Sequence, residues 1–262
     1  MVCDNRNKKH RDRIIETFTR QADTISAAPV FTDRDMMDEI LSAVLVSSNM
    51  RILDVGCGPG IVTEKLAAEA AQVVAFDLTP EMVTRARDRC EEARLKNVRF
   101  DIGQAEKLPF KDDTFNAVVT RFTFHHFSDP AIVLSEMVRV TRHKGRVVIV
   151  DAVSSEIPEE SELHNAFEIL RDPATVRLLP YSSLKKLVDY AGLSIETQKS
   201  WIKQREFDEW IGITNVPDHM EPIRVVMCNL AKAGIRAGID LRFNGRTVSF
   251  NHHLVLIAAV KP

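Results

Sequence analysis

The chain has 262 residues, of which 45% are hydrophobic, and a net charge of −2. That length can bury a full core and suits one large α/β domain, alone or with a small cap. The near-neutral charge excludes a general pull towards nucleic acid or an anionic membrane. The cysteines, Cys3, Cys57, Cys90 and Cys228, are far apart with no C-x-x-C pair. They read as reduced thiols rather than a disulfide or zinc framework.

Met1 to Arg13 is polar and charged, with no signal-peptide core. The longest clean apolar run, Leu254 to Val260, falls far short of the roughly 20 residues of a spanning helix. The expectation is a cytoplasmic protein without stable membrane insertion. Ile14, Phe18 and Ile25 mark one amphipathic helix, and Met36, Met37, Ile40, Leu41 and Val44 a second. Residues 1–48 therefore read as an N-terminal helical segment, serving either as a lid or as packing. Residues 49–262 read as the main domain.

From about residue 50, short β-rich runs alternate with helical patterns. Arg51 to Val55 is a strand that breaks into glycines, and Val62, Leu66 and Ala70 then recur at helical spacing. Gln72 to Asp77 is the next strand, followed by a helix with Val83, Ala86, Cys90 and Ala93 on one face. Asn97 to Ile102 and Phe115 to Arg121 are two more. Asp129-Pro130 reads as a helix start, with an N-cap aspartate and proline at the first helical position. Leu134, Met137 and Val138 form that helix's apolar face, and Arg146 to Asp151 is a fifth strand.

Residues 152–180 are polar and carry no strand pattern, so they read as an excursion over the sheet's carboxyl edge. A further helix runs past Leu184, Leu187, Val188 and Ala191 and stops at Gly192. Leu193 to Ser200 is a strand, and helical material occupies about 206–237. Asn244-Gly245 then turns into the long strand Val248 to Val260. Together 152–180 and 203–240 are the segments expected to build a substrate pocket. The alternation as a whole predicts an α/β fold with a mostly parallel sheet covered on both faces.

The chemistry concentrates at Asp54-Val-Gly56-Cys57-Gly58-Pro-Gly60, between a strand and a helix. Glycines here let the backbone turn sharply and let a ligand lie against it, in front of a helix N-terminus. A dinucleotide fingerprint started at Gly56 requires a glycine at the position of Ile61. The loop is instead G-x-G-x-G with an aspartate two residues ahead. An anion there suits a ligand bearing an ammonium group, as the methionine end of S-adenosylmethionine (SAM) does.

Asp77, at the end of the next strand, is placed to accept both hydroxyls of an unphosphorylated ribose. Leu78 and Met82 suit one face of an adenine, although Met82 reads equally as ordinary core. Gly103 to Phe110 would reach the other side, with backbone amides and Gln104 or Glu106 at the base edge.

In their order, ILDVGCGPG, FDLTPEM, GQAEKLPF, DDTFNAVVTRFTFHHFSDP and GRVVIVD resemble the class I SAM-dependent methyltransferases, and among them the ubiquinone/menaquinone-biosynthesis-like branch. The resemblance is strong over about residues 35–155. Leu170-Arg-Asp-Pro173 and Val176-Arg177 are similar to a group of bacterial members.

This resemblance implies a three-layer Rossmann-like fold, with a seven-stranded mostly parallel sheet whose last strand is antiparallel. It places Asp54, Gly56, Gly58 and Gly60 at the methionine end of SAM, Asp77 at the ribose, and Ala105-Glu106 at the adenine, with S-adenosylhomocysteine as product. Asn116 and His143-Lys144-Gly145 depart from the family's usual residues, away from the cofactor. Thr123 to Phe127 departs from the quinone enzymes' pattern, which puts a quinone acceptor in doubt.

Methyl transfer from SAM needs an aligned acceptor and, for O or N acceptors, a proton acceptor. His125 and His126, just beyond the fourth strand at the carboxyl edge, are the candidate bases, with loop packing as the bland alternative. Arg121 either lines the methionine carboxylate or contributes only backbone. Arg171 and Arg177 could clamp an acceptor carboxylate or phosphate, a surface pair with Asp172 being the alternative. Phe18 is placed to close the pocket.

His252 and His253 alternate faces in a strand, so a metal pair there is not expected, and no metal site is assigned. The resulting expectation is metal-independent, in-line methylation of O, N or C in a small molecule, by a monomer or homodimer that binds no nucleic acid. Competing readings are a binding or regulatory protein on the SAM fold, a non-methylating SAM-dependent enzyme, and, against the Ile61 spacing, an NAD(P)-dependent oxidoreductase.

Overall fold

The computed structural model describes residues 2–215 and 220–262, with side chains from Asn7 onward. Cys3 therefore lies outside the described side chains; Cys57 and Cys90 are buried free thiols and Cys228 a half-buried one. The parallel core alternates strand and helix as the hydrophobic periodicity requires. Its elements are β1 (Arg51–Val55), α3 (Ile61–Ala67), β2 (Gln72–Asp77), α4 (Pro80–Glu92), β3 (Val98–Ile102), β4 (Phe115–Arg121), α5 (Pro130–Val140) and β5 (Thr141–Val153). Helices α1 (Val2–Ala27) and α2 (Arg34–Val44) precede it.

Beyond β5 come α6 (Pro158–Arg171), α7 (Tyr181–Tyr190), β6 (Ser194–Glu206), α8 (Phe207–Gly212), α9 (Glu221–Lys232), β7 (Arg242–Phe243) and β8 (Val248–Val260). The sheet order is β3-β2-β1-β4-β5-β8-β6, with the two-residue β7 paired to β8. Strands β1 to β5 are mutually parallel, and β8 runs antiparallel to both β5 and β6. The expected seven strands and reversed last strand are present, with β7 added as a short hairpin arm. Asn244 makes the hairpin, its Oδ1 accepting the N–H groups of Arg246 and Thr247 at 3.0 and 2.9 Å while Gly245 takes φ 92°.

Both sheet faces are covered. On one side Leu53, Val74, Val118, Val147 and Ile257 pack against Leu134 and Met137 of α5 and Leu184 and Val188 of α7. On the other, Ile52, Val73, Val119, Val148 and Leu256 pack against Met36, Ile40 and Val44 of α2 and Val62 and Leu66 of α3. Asp129 caps α5 as its sequence implies, accepting N–H bonds from Ala131 and Ile132, both at 3.1 Å. No helix of the described residues is long and apolar enough to cross a membrane.

Four segments differ from expectation. Strand β5 begins at Thr141 rather than Arg146, and β6 continues to Glu206. The helical material read at about 206–237 is two helices, α8 and α9, with residues 216–219 outside the described ones. The largest difference is α6, inside the segment read as a polar excursion. Its buried face includes Ser161, His164, Asn165 and Glu168 beside Phe167, so a hydrophobic repeat does not reveal it. Hydrogen bonds replace that repeat: Asn165 donates to Leu178 O at 3.1 Å and accepts from Leu178 N at 2.7 Å.

Candidate functional site

The carboxyl ends of β1, β2, β4 and β5 open into one cleft. The glycine loop forms its floor, and α1 lies across it with His10, Ile14, Phe18, Gln21 and Ile25 in the lining. The loop is pinned to β2, the N–H groups of Gly56 and Cys57 both donating to Phe76 O at 2.8 and 3.1 Å. Gly56, Gly58 and Gly60 have φ of 66°, 51° and 80°, in the left-handed region that favours glycine. A Cβ on Gly56 would stand 2.3 Å from the Thr123 side chain, and one on Gly60 2.8 Å from Ala86 Cα in α4. At Gly58 a Cβ would meet nothing within 4 Å. Two glycines thus permit tight packing, and the third leaves the cleft floor bare.

Asp54 is 1% exposed and accepts the Thr63 hydroxyl at 2.6 Å. Burial pushes its carboxyl up to about 6, against the opposing pull of the Thr63 bond and the Arg121 charge. Arg121 is drawn down to about 10 by burial, with Asp54 pulling it back up. Its guanidinium donates to Phe31 O at 2.8 Å and lies 5.0 Å from the Phe122 ring. Asp77 accepts the N–H groups of Gly58 and Thr79 at 2.9 and 2.8 Å, one on each oxygen. Each oxygen keeps a lone pair for a further donor. Burial raises the Asp77 carboxyl despite those bonds.

Leu78, Met82, Gln104, Ala105 and Glu106 line the same cleft beyond Asp77. Met82 is also core: it is 2% exposed and packs with Ala22, Ile25 and Ile213. Cys57 lines the cleft with its thiol buried against Ala75 and Ala86; burial first, then Asp77 and Asp54, hold that thiol well above its ordinary range and therefore neutral.

The other end of the cleft is built on the turn after β4, Phe124–His126. Asp151, near the end of the neighbouring β5, grips His125 twice. One oxygen accepts Nδ1–H at 2.6 Å, and the other accepts the backbone N–H at 3.1 Å. Nδ1 is thereby fixed as the protonated nitrogen, and Nε2 carries the free lone pair. Burial lowers the His125 pKa, but the charge and hydrogen bond of Asp151 outweigh it, with Glu168 and Asp172 assisting, and the net shift is upward.

His126 behaves oppositely: burial, then its neighbour His125, takes it down to about 4. It donates from Nδ1 to Ala174 O at 3.0 Å, and its own carbonyl accepts from His10 Nε2 at 2.8 Å. Phe18 packs edge-on to the His126 ring at 4.9 Å. His126 therefore ties α1 and the 172–177 loop to the cleft wall.

The two expected clamp arginines separate. Arg171 lines the cleft, donating to Trp210 O at 3.1 Å and to Glu168 at 2.9 Å, with its guanidinium 5.0 Å from the Trp210 ring. Its partner is Glu168, not Asp172. Arg177 is not brought to the cleft. It pairs with Glu162 at 2.8 Å and its side chain is 40% exposed, while its backbone N–H donates to His125 O at 3.1 Å.

Sequence reasoning missed Asp151, Glu168, Arg205 and His252. Asp151 was findable, since adjacent parallel strands bring the ends of β4 and β5 together. His252 is buried and His253 is not, as strand alternation requires. His252 nevertheless has company from α6: its Nε2 lies 2.8 Å from Glu168 Oε1, and His164 Nε2 lies 3.7 Å from the same oxygen.

A family model described as "Methyltransferase domain" matches residues 46–209. The chain is 30% identical over 246 residues to the uncharacterized methyltransferase YcgJ of Bacillus subtilis, covering 93% of this chain and 97% of that one. The crystal structure of YcgJ superposes with a TM-score of 0.82 at 28% identity, over 87% of this chain and 99% of that one. The demethylmenaquinone methyltransferase of Thermotoga maritima is 31% identical over 56% of this chain and 63% of its own. Geranyl diphosphate C-methyltransferase from Streptomyces coelicolor, solved with Mg2+, geranyl diphosphate and S-adenosyl-L-homocysteine, shares the fold, with a TM-score of 0.59 at 14% identity over 87% of this chain and 78% of that one.

Proposed function

The chain belongs to the SAM-dependent methyltransferases, and we propose that it methylates an oxygen or nitrogen of a small molecule, with His125 as the proton acceptor. SAM, when bound, supplies a methyl carbon on a sulfonium, so the leaving group departs as a neutral thioether. The residues present fit such a ligand: a bare glycine floor at Gly58, a buried anion at Asp54, and spare lone pairs on Asp77. In this reading Asp54 faces the ammonium and Asp77 takes the ribose hydroxyls. Leu78, Met82 and the Gln104-Ala105-Glu106 stretch hold the adenine. Arg121 acts through its charge near Asp54, with one of its guanidinium N–H groups anchored on Phe31 O.

The observation that carries the assignment of the base is the Asp151–His125 pair, which opens into the same cleft as the glycine loop. Asp151 holds the ring with Nε2 available and stabilises the imidazolium that forms when Nε2 takes the acceptor's proton. His126, held low and therefore neutral, keeps its Nδ1–H on Ala174 O and positions the wall. Phe18 and the rest of α1 roof the acceptor end, which fits a small molecule better than a polymer. Arg171 lines the acceptor end, and the Arg177 side chain is turned away to Glu162.

The test is to incubate the protein with methyl-labelled SAM and a metabolite extract, with His125→Ala in parallel. A labelled small product that depends on His125 supports the reading. Label only in protein or nucleic acid, or equal product from both proteins, overturns it.

A further inference from the structure

We propose that His164, Glu168 and His252 form a binding site for a divalent first-row transition metal in the cleft wall. The donors come from two elements: His164 and Glu168 stand one turn apart on α6, and His252 lies on β8. Their ligand atoms lie within 4.8 Å of one another and all three residues are buried. His164 is 1% exposed, and neither of its ring nitrogens has a hydrogen-bond partner among the described residues. A neutral imidazole offers one donor and one acceptor, and leaving both unmade in the interior is costly. The imidazole, unpartnered among the described residues and 3.7 Å from a buried carboxylate oxygen, leaves a place for a third body between them.

The spacing fits a metal ion as that third body. Ligand atoms bound at about 2.1 Å stand roughly 3.0–3.5 Å apart in octahedral or tetrahedral geometry. The observed separations from Glu168 Oε1, 2.8 Å to His252 and 3.7 Å to His164, bracket that range. Two imidazoles and one carboxylate are a donor set for zinc, iron, cobalt or manganese, and they leave coordination positions open. Glu168 and His252 line the cleft, so those positions face the chamber, where they can hold an oxygen or nitrogen of a small molecule.

The neighbouring arginines fix what binding must change. Glu168 keeps its other oxygen for Arg171 at 2.9 Å. His252 now accepts from Arg205 at Nδ1, 3.0 Å away, which places its proton on Nε2, towards Glu168. Metal on Nε2 moves that proton to Nδ1 and releases Arg205 from the ring. Arg205 stays anchored through two bonds to Glu209, at 2.8 and 2.9 Å.

The site does not depend on the assignment of the methyl acceptor or of His125, and its test is independent of turnover. Metal-stripped protein is titrated with Zn2+ by calorimetry and with Co2+ by visible absorption, and SAM binding serves as the control for folding. The expected result is one ion per chain and a Co2+ spectrum of nitrogen–oxygen ligation. His164→Ala and His252→Ala are each expected to weaken Zn2+ binding at least tenfold while SAM affinity is kept. No stoichiometric binding, or binding unchanged in His164→Ala, overturns the site and leaves a bound water as the partner of His164.

Discussion

Asp151 Oδ1 accepts the Nδ1–H of His125 at 2.6 Å, while its second oxygen takes the backbone N–H of the same residue at 3.1 Å. A side chain and a peptide held by one carboxylate fix both the tautomer and the ring plane. That arrangement is what the proposed role of His125 as base requires of its ring.

It has a kinetic signature. The rate should rise with pH as His125 loses its proton, with a midpoint above the ordinary histidine value because Asp151 stabilises the charged ring. Asp151→Asn removes that charge yet can still accept Nδ1–H. Its limb should move to lower pH, with SAM affinity unchanged. His125→Ala should lose about 10²–10⁴-fold in kcat, the usual worth of a general base. The check is a pH–rate profile of the three proteins. A limb that stays in place in Asp151→Asn would reject the pairing's catalytic role.

Asp54 gives the cofactor end its own pH dependence. Burial, the largest influence, places its carboxyl at about 6, so it is charged above that pH and neutral below it. An ammonium ligand stabilises the charged form. SAM affinity should therefore fall as pH drops through about 6, approaching tenfold for each further unit until the pKa of the complex is reached. Titrations between neutral and acid pH measure this, and Asp54→Asn should be weaker and nearly flat.

The glycines divide by what a methyl group would meet. Gly60→Ala puts a Cβ 2.8 Å from the α4 backbone at φ 80°, so it should destabilise by about 2 kcal/mol or more and lower Tm by roughly 4–8 °C. Gly58→Ala projects into open space, so the left-handed backbone costs it only about 1–2 kcal/mol, and its larger loss should be SAM binding. Thermal melts with and without SAM separate the two. Equal stability losses with unchanged SAM affinity would contradict the cradle.

Where apolar periodicity or turn chemistry carries the signal, the sequence is transparent. The loop from Asp54 to Gly60, the strand ending at Asp77, the Asp129 cap and the Asn244-Gly245 hairpin all lie where composition puts them. Helix α6 was not legible, because the face it buries is polar: Ser161, His164, Asn165 and Glu168. Once that helix is missing, His164 and Glu168 do not register as an i, i+4 pair, and their meeting with His252, 84 residues from Glu168, cannot be anticipated. Arg177 shows the reverse limit. Its place with Arg171 in the excursion after β5 suggested a clamp, but its side chain pairs outward with Glu162 while its backbone N–H donates to His125 O.

Everything rests on the cleft being a SAM site organised by Asp54 and Asp77. Isothermal titration of SAM into the wild-type chain and Asp77→Ala tests this most directly. The account predicts one site per chain in the wild type and at least a tenfold weaker one in Asp77→Ala, about 1.4 kcal/mol, with the fold intact by circular dichroism. No binding by the wild type, or equal binding by the two proteins, would contradict it.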